Sequence, residues 1–495
     1  MFAKTIATVK GWLSKMGLIK QLADVSEHKG LVVNEEAYSR IAKNKQIYAG
    51  FVDEWHKVSY RTSEGVSKTR NMLTFGMGKV LAEKMATLIF NEKAQINIDD
   101  DKASEFVLDV LNSNGFHKNF QRYLEYGYAL SGMAVKVYQY DGKVKLAYAV
   151  ADAFYPLSND SENIDEALFV SEEFKDGKYY TLLEWNEWEG PVYVITNELF
   201  MSETKGELGI KVPLATLYED LEERTPINKL RRPLFVYFKL NSANNKDMTS
   251  PLGISIFENS YDTLYMLDYL YDFWHNEFQL GKRRIAVDRA MIKPFIDVNG
   301  DQRTAFDPEE TVFTTVNAEN MDVKDLSVEL RADDIISSIN ALLDILSMQV
   351  GFSSGTFNFD GKSMKTATEV VAENSATFQT KNSHETLVEE GIKELITTIV
   401  DVGNLYSLYT GTNDFEVAID FDDSIAQDRT ENMNYYSSAA GQGLMPKLIA
   451  IQRIFDVPKE TALEWIKIMD KESAINVDTN ATDLFGIGAT NVGRD

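Results

Sequence analysis

The residues Phe257, Tyr261, Leu264, Leu267, Tyr271, Trp274 and Phe278 follow one another at spacings of 4, 3, 3, 4, 3 and 4. A heptad-like seam of this kind requires a long helix whose apolar stripe is wide enough to pack on neighbours. The spacing predicts that helix over 251–281. A second seam, Ile335, Ile339, Leu342, Leu346 and Val350, starts just after Asp333 and Asp334, two acids suited to the positive end of a helix dipole. It predicts a helix over 333–350. Between the two lies a small mixed insertion, 282–332, with strand-like pieces RRIAVD, TVFTTV and LSVELR interrupted by Pro294, Gly300 and Pro308. The chain must therefore send out one long helix, build a small module and return along another.

Upstream, over 34–250, the hydrophobic period changes. Residues Asn34 to Asp99 read as helices broken around Ser63 to Ser67, and a further helical stretch from Ala103 to Leu130 breaks at Gly115. Then MAVKVYQY and VKLAYAV flank Asp141-Gly142, and EALFVSEEFK and KYYTLLEWNEW flank Asp176-Gly177. Both are Asp-Gly hairpins between alternating strands. PVYVITNELF adds a strand to the second hairpin, and LFVYFKL follows the basic turn NKLRRP. The fold class is α+β, mainly helical, with an antiparallel sheet rather than a parallel nucleotide-binding one.

Downstream, GFSSGTFNFDGKS (351–363) reads as a loop opening into a helical tract from Met364 to Tyr409, far longer than the usual globular helix. The strand-like FEVAIDF closes a region 364–429, and short helices between Thr430 and Ala474 form a C-terminal region, 430–495, whose last residues read as frayed. At the other end, Phe2, Ile6, Val9, Trp12, Leu13 and Met16 make residues 1–33 an amphipathic arm with lysines between the apolar positions, suited to docking on a neighbouring subunit or, as the alternative, to lying on a membrane surface.

Lys plus Arg number 50 against 76 Asp plus Glu, a net charge of −26, and cysteine is absent. Disulfides and thiolate metal sites are excluded. The acidic balance disfavours any protein that wraps DNA with a basic surface. Lys10 and Lys15 interrupt a signal-peptide core, and no apolar run reaches the roughly 20 residues of a spanning helix, so a soluble protein made in a cytoplasm is expected, with no membrane partner.

Enzymatic signatures are sparse. His28, His56, His117, His275 and His384 are scattered, with no pair at i, i+4. Gly355, Gly361, Lys362 and Ser363 miss the phosphate-loop spacing by one residue and follow a helix instead of a strand. Asp420, Asp422 and Asp423 are the one cluster that a metal-dependent phosphodiesterase or nuclease could use, against the plainer reading of a solvated strand end. The cations Lys282, Arg283, Arg284 and Arg289 either complement the helix C-terminal dipole or form a patch for phosphate or an acidic partner.

The order of elements, together with NKQIYAGF (44–51), MGKVLAEKMATLIFNE (77–92), LEYGYALSGMAVKVY (124–138), SPLGISIFENS (250–260) and above all GTFNFDGKSMKTATEV (355–370), resembles the portal proteins of tailed bacteriophages, most of all those of long-tailed phages of Gram-positive hosts. The resemblance implies a ring oligomer, usually a dodecamer, at one capsid vertex of the virion, assembled in the host cytoplasm. Its expected partners are terminase, head-completion or adaptor proteins, major capsid and scaffold proteins, and the double-stranded DNA that passes through it. No cofactor and no catalytic activity are implied; a smaller head-tail adaptor is the structural alternative.

Laid on these positions, the resemblance makes 34–250 the wing, 251–281 and 333–350 the stem, 282–332 the clip, 351–363 the tunnel loop, 364–429 a long wing helix and strand, and 430–495 the crown. The DNA-facing loop residues would be Gly351, Phe352, Ser353, Ser354, Gly355, Phe357, Phe359 and Gly361, with Lys362 and Lys365 as the nearby cations. Phe352, Phe357 and Phe359 would pack between adjacent loops. The clip contacts would be Lys282, Arg283, Arg284 and Arg289. Stem packing would fall to Phe257, Tyr261, Leu264, Tyr271, Trp274, Phe278, Ile335, Ile339, Leu342 and Leu346.

Overall fold

The computed structural model describes residues 34–61, 65–91, 94–160, 163–281, 285–286, 293–296, 302–305, 324–325, 329–358, 375–421, 429–455 and 461–469, with isolated positions to 471. The expected N-terminal arm and the last residues, 472–495, lie outside them. Two compact units result, one containing 374–421 with most of the chain up to 361, the other built from 422–495 and 362–373.

In the larger unit, α1 (Glu35–Tyr48) starts where the Asn34 side chain accepts the Ala37 amide at 3.1 Å, with Glu35 and Glu36 in the first turn and Lys45 in the last. Cap and charges thus agree with the helix dipole. After one turn, α2 (Asp53–His56), the chain forms an antiparallel hairpin, β1 (Lys57–Arg61) with β2 (Ser67–Asn71). The break expected within a helical region around Ser63 to Ser67 thus lies in a hairpin. β1 alternates Val58 and Tyr60 with polar residues over too few positions to stand out from helix, and β2 is polar throughout. Next come α3 (Met77–Ile89), β3 (Gln95–Ile98), α4 (Asp101–Ser113) and α5 (Phe116–Leu130). Asp100 caps α4 through the Ala103 amide at 2.8 Å, and Gly115, at φ +58°, makes the expected break before α5.

The strands that follow are antiparallel throughout. β4 (Met133–Tyr140) and β5 (Lys143–Val150) turn at Asp141-Gly142, where φ is +49° and +69°. After β6 (Phe154–Asn159), β7 (Ile164–Lys175) and β8 (Lys178–Glu189) turn at Asp176-Gly177, with φ +51° and +78°. These left-handed pairs match the twist of a two-residue hairpin. β9 (Val192–Ser202) extends that sheet and takes both β10 (Ile210–Val212) and β11 (Arg224–Ile227) on its other edge, while β12 (Phe235–Phe238) joins β4 in a separate sheet ordered β12-β4-β5. The expected single sheet is thus two, of six and three strands.

The first seam begins later than its spacing implies. Helix α6 spans Tyr261–Leu280, and the segment from Pro251 to Phe257 is threaded through the core instead of being helical. There the Ile256 amide donates to the Tyr128 carbonyl at 2.9 Å, the Ser255 amide donates to Glu258 at 3.0 Å, and Glu258 pairs with Arg40 at 2.8 Å. These distant partners outweigh the periodicity that places Phe257 on the helix.

The insertion is described at four short strands, β13 (Ile285–Ala286), β14 (Lys293–Ile296), β15 (Gln302–Ala305) and β16 (Lys324–Asp325), with β13 pairing β16 and β14 pairing β15. TVFTTV lies outside the described residues, and residues 329–331 of LSVELR are not strand. α7 (Ala332–Gln349) is the second seam, and α8 (Ser375–Leu405), 31 residues or about 46 Å at 1.5 Å per residue, is the described part of the long tract. Gly391 and Gly403 do not break α8. They let Phe238 and Phe106 approach so closely that a Cβ would lie 2.5 and 2.7 Å from the rings. β17 (Val417–Asp420) then pairs with β3.

The second unit contains α9 (Arg429–Gly441), α10 (Lys447–Phe455) and a helical stretch over 461–469, as the C-terminal sequence implied. Ala450 and Ala462 are buried within it, and Phe455 meets Trp465 edge-on at 5.4 Å. No described helix in either unit is long and apolar enough to cross a membrane.

Candidate functional site

The two seams meet as an antiparallel pair. Thr263 at the start of α6 bonds Gln349 at the end of α7, at 2.9 Å, and Arg331 at the base of α7 grips Glu277 near the end of α6 through Nε at 3.1 Å and Nη2 at 2.8 Å. The Arg331 guanidinium holds the Glu277 carboxyl below its usual range. The Arg331–Glu277 contact sits where the insertion leaves and rejoins, and Thr263–Gln349 at the opposite end, so the helices are clamped at both ends.

Burial along the seams is uneven. Phe257, Leu264 and Leu267 are buried, Tyr261, Tyr271 and Trp274 partly so, and Phe278 is 46% exposed. On α7, Ile335, Ile339 and Leu346 are buried while Leu342 is only partly covered; Leu343, which the seam passes over, is fully buried. The seam residues therefore divide, with the start of α6 serving the chain's own core and Phe278 facing outward. Tyr265, Met266 and Tyr269 on α6 and Ile345 and Met348 on α7 are exposed as well.

Two carboxylates on α6 fasten the segment before α3. Asp268 accepts the Phe75 amide at 2.5 Å and meets His56 Nε2 at 3.1 Å, and Asp272 takes both Arg70 nitrogens and the Leu73 amide at 3.1 Å. Burial pushes the His56 imidazole down, but the Asp268 carboxylate outweighs it and the group ends above its ordinary value. Asp272 is raised by burial, yet Arg70, the Leu73 amide and Asn276 together bring it below the usual carboxylate range. Neither aspartate stood out in the sequence, although acids at i and i+4 inside an apolar seam were a signal that something distant must pair with them.

The loop leaving α7 is described to Asn358. Here the structure corrects the expectation for two residues. Phe352 is 2% exposed and packs edge-on to Phe357 at 5.2 Å within the chain's own core cluster, and Ser353 is 3% exposed. Neither is free to face DNA or to lie between loops, because burying the phenyl ring at the helix end removes apolar surface from water. Ser353 and Thr377 bond reciprocally: the Ser353 amide donates to Thr377 Oγ1 at 2.8 Å and the Thr377 amide donates to Ser353 Oγ at 3.2 Å. Gly351, at φ +80°, lies where a Cβ would stand 2.6 Å from Thr380 Oγ1, so its glycine serves a fixed close approach rather than backbone freedom. Asp344 holds the next turn, accepting from Ser354 Oγ at 2.7 Å, the Gly355 amide at 2.8 Å and Asn358 Nδ2. Ser354 is exposed, and Gly355 and Phe357 are partly exposed. Phe359, Gly361, Lys362 and Lys365 lie outside the described residues, as do Lys282, Arg283, Arg284 and Arg289.

Beside the loop root, a cleft of about 380 Å³ is lined by Asn241, Asn259, Gln349, Gly351, Thr380 and His384, among others. Burial pushes the His384 imidazole down to about 4, and its Nδ1 accepts the Asn241 amide at 3.1 Å, as a neutral ring can. No group of three or more His, Asp or Glu among the described residues could hold a metal ion. Asp420 ends β17 opposite Gln95, while Asp422 and Asp423 are outside the described residues.

The family model of the phage portal protein, SPP1 Gp6-like, matches residues 28–475. Among solved structures, the chain is similar to one in the neck of a native GTA particle computed with C12 symmetry, at 10% identity and a TM-score of 0.42, covering 76% of this chain and 90% of that one. It is similar to another in the neck of an empty GTA particle computed with C6 symmetry, at 11% identity and 0.43, covering 77% and 88%. A chain of the virion of a native gene transfer agent particle gives 10% identity and 0.41, covering 77% and 89%. No curated protein matches.

Proposed function

Since the chain belongs to the phage portal protein family of SPP1 Gp6-like members, we propose that it is the subunit of a portal ring at one capsid vertex, through which DNA is packaged and later ejected. The match across residues 28–475 carries this reading, because it takes in the α+β module, both seamed helices and the long helix together. A small head-tail adaptor has no place for two long helices around an insertion. In the proposed ring, 34–250 is the wing, α6 and α7 are the stem, 282–332 is the clip, the loop after Val350 is the tunnel loop, and 430–495 is the crown. A dodecamer in a long-tailed phage of a Gram-positive host is the setting that the quoted segments favour.

Three observations support these roles. A chain of net charge −26 does not neutralise phosphates, and a conduit must let duplex DNA slide without the tight contact that counterion release gives. The outward Tyr265, Tyr269 and Phe278 offer apolar area for the next stem. Asp344 and Thr377 fix the loop's root while its later part, with Phe359, Gly361, Lys362 and Lys365, is proposed to meet the DNA. The clip cations Lys282, Arg283, Arg284 and Arg289 are proposed to serve terminase first and a head-completion protein afterwards, and no step requires a cofactor or catalysis by the chain itself.

The test is particle size. Native mass spectrometry and negative-stain microscopy of the full chain at micromolar concentration should show closed rings; a preparation that remains monomeric, with scaffold present or absent, overturns the proposal. Removing Thr356 to Gly361 should leave the rings intact and reduce packaged DNA.

A further inference from the structure

Hairpin β1–β2 has no third strand on either side among the described residues. A two-stranded sheet is marginal by itself in water, and this one is tied down near its root. There Arg70 bonds Asp272 and the Met72 amide donates to the His56 carbonyl at 2.7 Å. Beyond the root the hairpin is exposed, including Tyr60 at 44%, Arg61 and Lys68 on the strands and Val66, at 51%, just before β2.

Its charge is opposite to that of the chain. Residues 57–71 hold Lys57, Arg61, Lys68 and Arg70 against the single acid Glu64, in a protein of net charge −26. Lys57 pairs with Asp53 and Arg70 with Asp272, which leaves Arg61 and Lys68 with no ion pair to any described residue. Tyr60 lies directly across from Lys68, and Arg61 across from Ser67, so both faces of the hairpin carry a cation.

We infer that the outer part of this hairpin, with Tyr60, Arg61, Val66 and Lys68, docks on an acidic surface of a second copy of the chain. The inference rests on the ring reading above. Copies that each carry −26 repel one another, and a contact of locally complementary charge offsets that repulsion. The hairpin supplies the positive member of such a contact, and the acidic excess supplies the negative one. Duplex DNA fits less well, because the chain's field repels it and a phosphate backbone makes no use of the apolar area of Tyr60 and Val66.

The experiment uses full-length chain with the Arg61→Glu/Lys68→Glu double substitution, and separately Tyr60→Ala. All three positions are exposed, so circular-dichroism melts should match the wild type. Ring formation followed by native mass spectrometry should require about tenfold more protein in the double variant, the scale of one lost complementary contact. In a ring assembled from isotopically heavy and light chains, zero-length carboxyl–amine coupling should join Lys68 to an Asp or Glu of the other isotope. Assembly of the double variant at the wild-type concentration, or coupling of Lys68 only within its own chain, overturns the docking and leaves the ring reading standing. A variant that assembles normally but retains less short duplex DNA assigns the hairpin to DNA and overturns it too. Wild-type chain that never forms rings removes both readings.

Discussion

Arg70 on β2 donates to Asp272 in the middle of α6 through both terminal nitrogens, at 2.7 and 2.6 Å, across 202 positions of sequence. The planar fork matches the carboxylate in geometry as well as charge. Because Asp272 is buried while Arg70 is partly exposed, the pair fixes the hairpin to α6 from the helix side.

Asp272→Ala is expected to lower stability by about 2 kcal/mol, less than the 3–5 typical of a fully buried pair because the freed guanidinium still reaches water. Urea unfolding should show a lower midpoint at unchanged slope. The aspartate's folded value lies below its unfolded one, so this stabilisation is present above the ordinary carboxylate range and is lost as pH falls through the folded value. A wild-type midpoint unmoved by the substitution removes the anchoring role.

His384 gives a second pH response. Its folded value of about 4 lies below the ordinary 6.5, so between those values the unfolded chain binds the proton that the folded chain refuses. Stability should fall by about 3 kcal/mol on acidification across that window. His384→Gln should flatten the dependence. His56 acts in the opposite direction: its contribution is fully present below 6.5 and fades as pH rises through its raised folded value. Urea midpoints measured against pH for the two single variants separate the effects, and parallel curves for wild type and His384→Gln exclude the first.

Two glycines of the loop should differ. Gly351→Ala meets both a left-handed φ and Thr380 Oγ1 at 2.6 Å, so a loss of about 2–3 kcal/mol is expected. Gly355 has φ +79° but nothing within 4 Å of its ideal Cβ, so Gly355→Ala should lose only about 1 kcal/mol. Thermal midpoints rank the pair; equal losses mean that Thr380 yields freely.

Asp344→Ala removes the acceptor for Ser354, Gly355 and Asn358 together. Amide hydrogen exchange at Gly355 should accelerate by roughly tenfold or more, as local opening becomes easier, while exchange along α8 stays slow. Unchanged protection at Gly355 excludes Asp344 as the loop's anchor.

Local backbone chemistry was legible from the residues. Asp141-Gly142 and Asp176-Gly177 turn because they alone in their segments tolerate paired positive φ, and Gly115 separates α4 from α5 for the same reason. The spacing of Ile335, Ile339 and Leu346 likewise identified α7, since a helix of period 3.6 has only one way to bury them. These features depend on near neighbours, and a sequence states its near neighbours directly.

What depended on distant partners was decided by the tertiary structure. Phe257 fits the seam's spacing, yet Tyr128, Arg40 and Glu258 hold its segment out of the helix. Phe352 reads as a loop aromatic, but Phe357 and the core cover it. Asp268 and Asp272 call for partners by their place in an apolar seam, but only the tertiary structure identifies those partners as His56, the Phe75 amide and Arg70. Periodicity specifies which side of an element is apolar. Whether that side meets the chain's own core or remains outward, as at Phe278, depends on packing free energies between segments that are far apart in sequence.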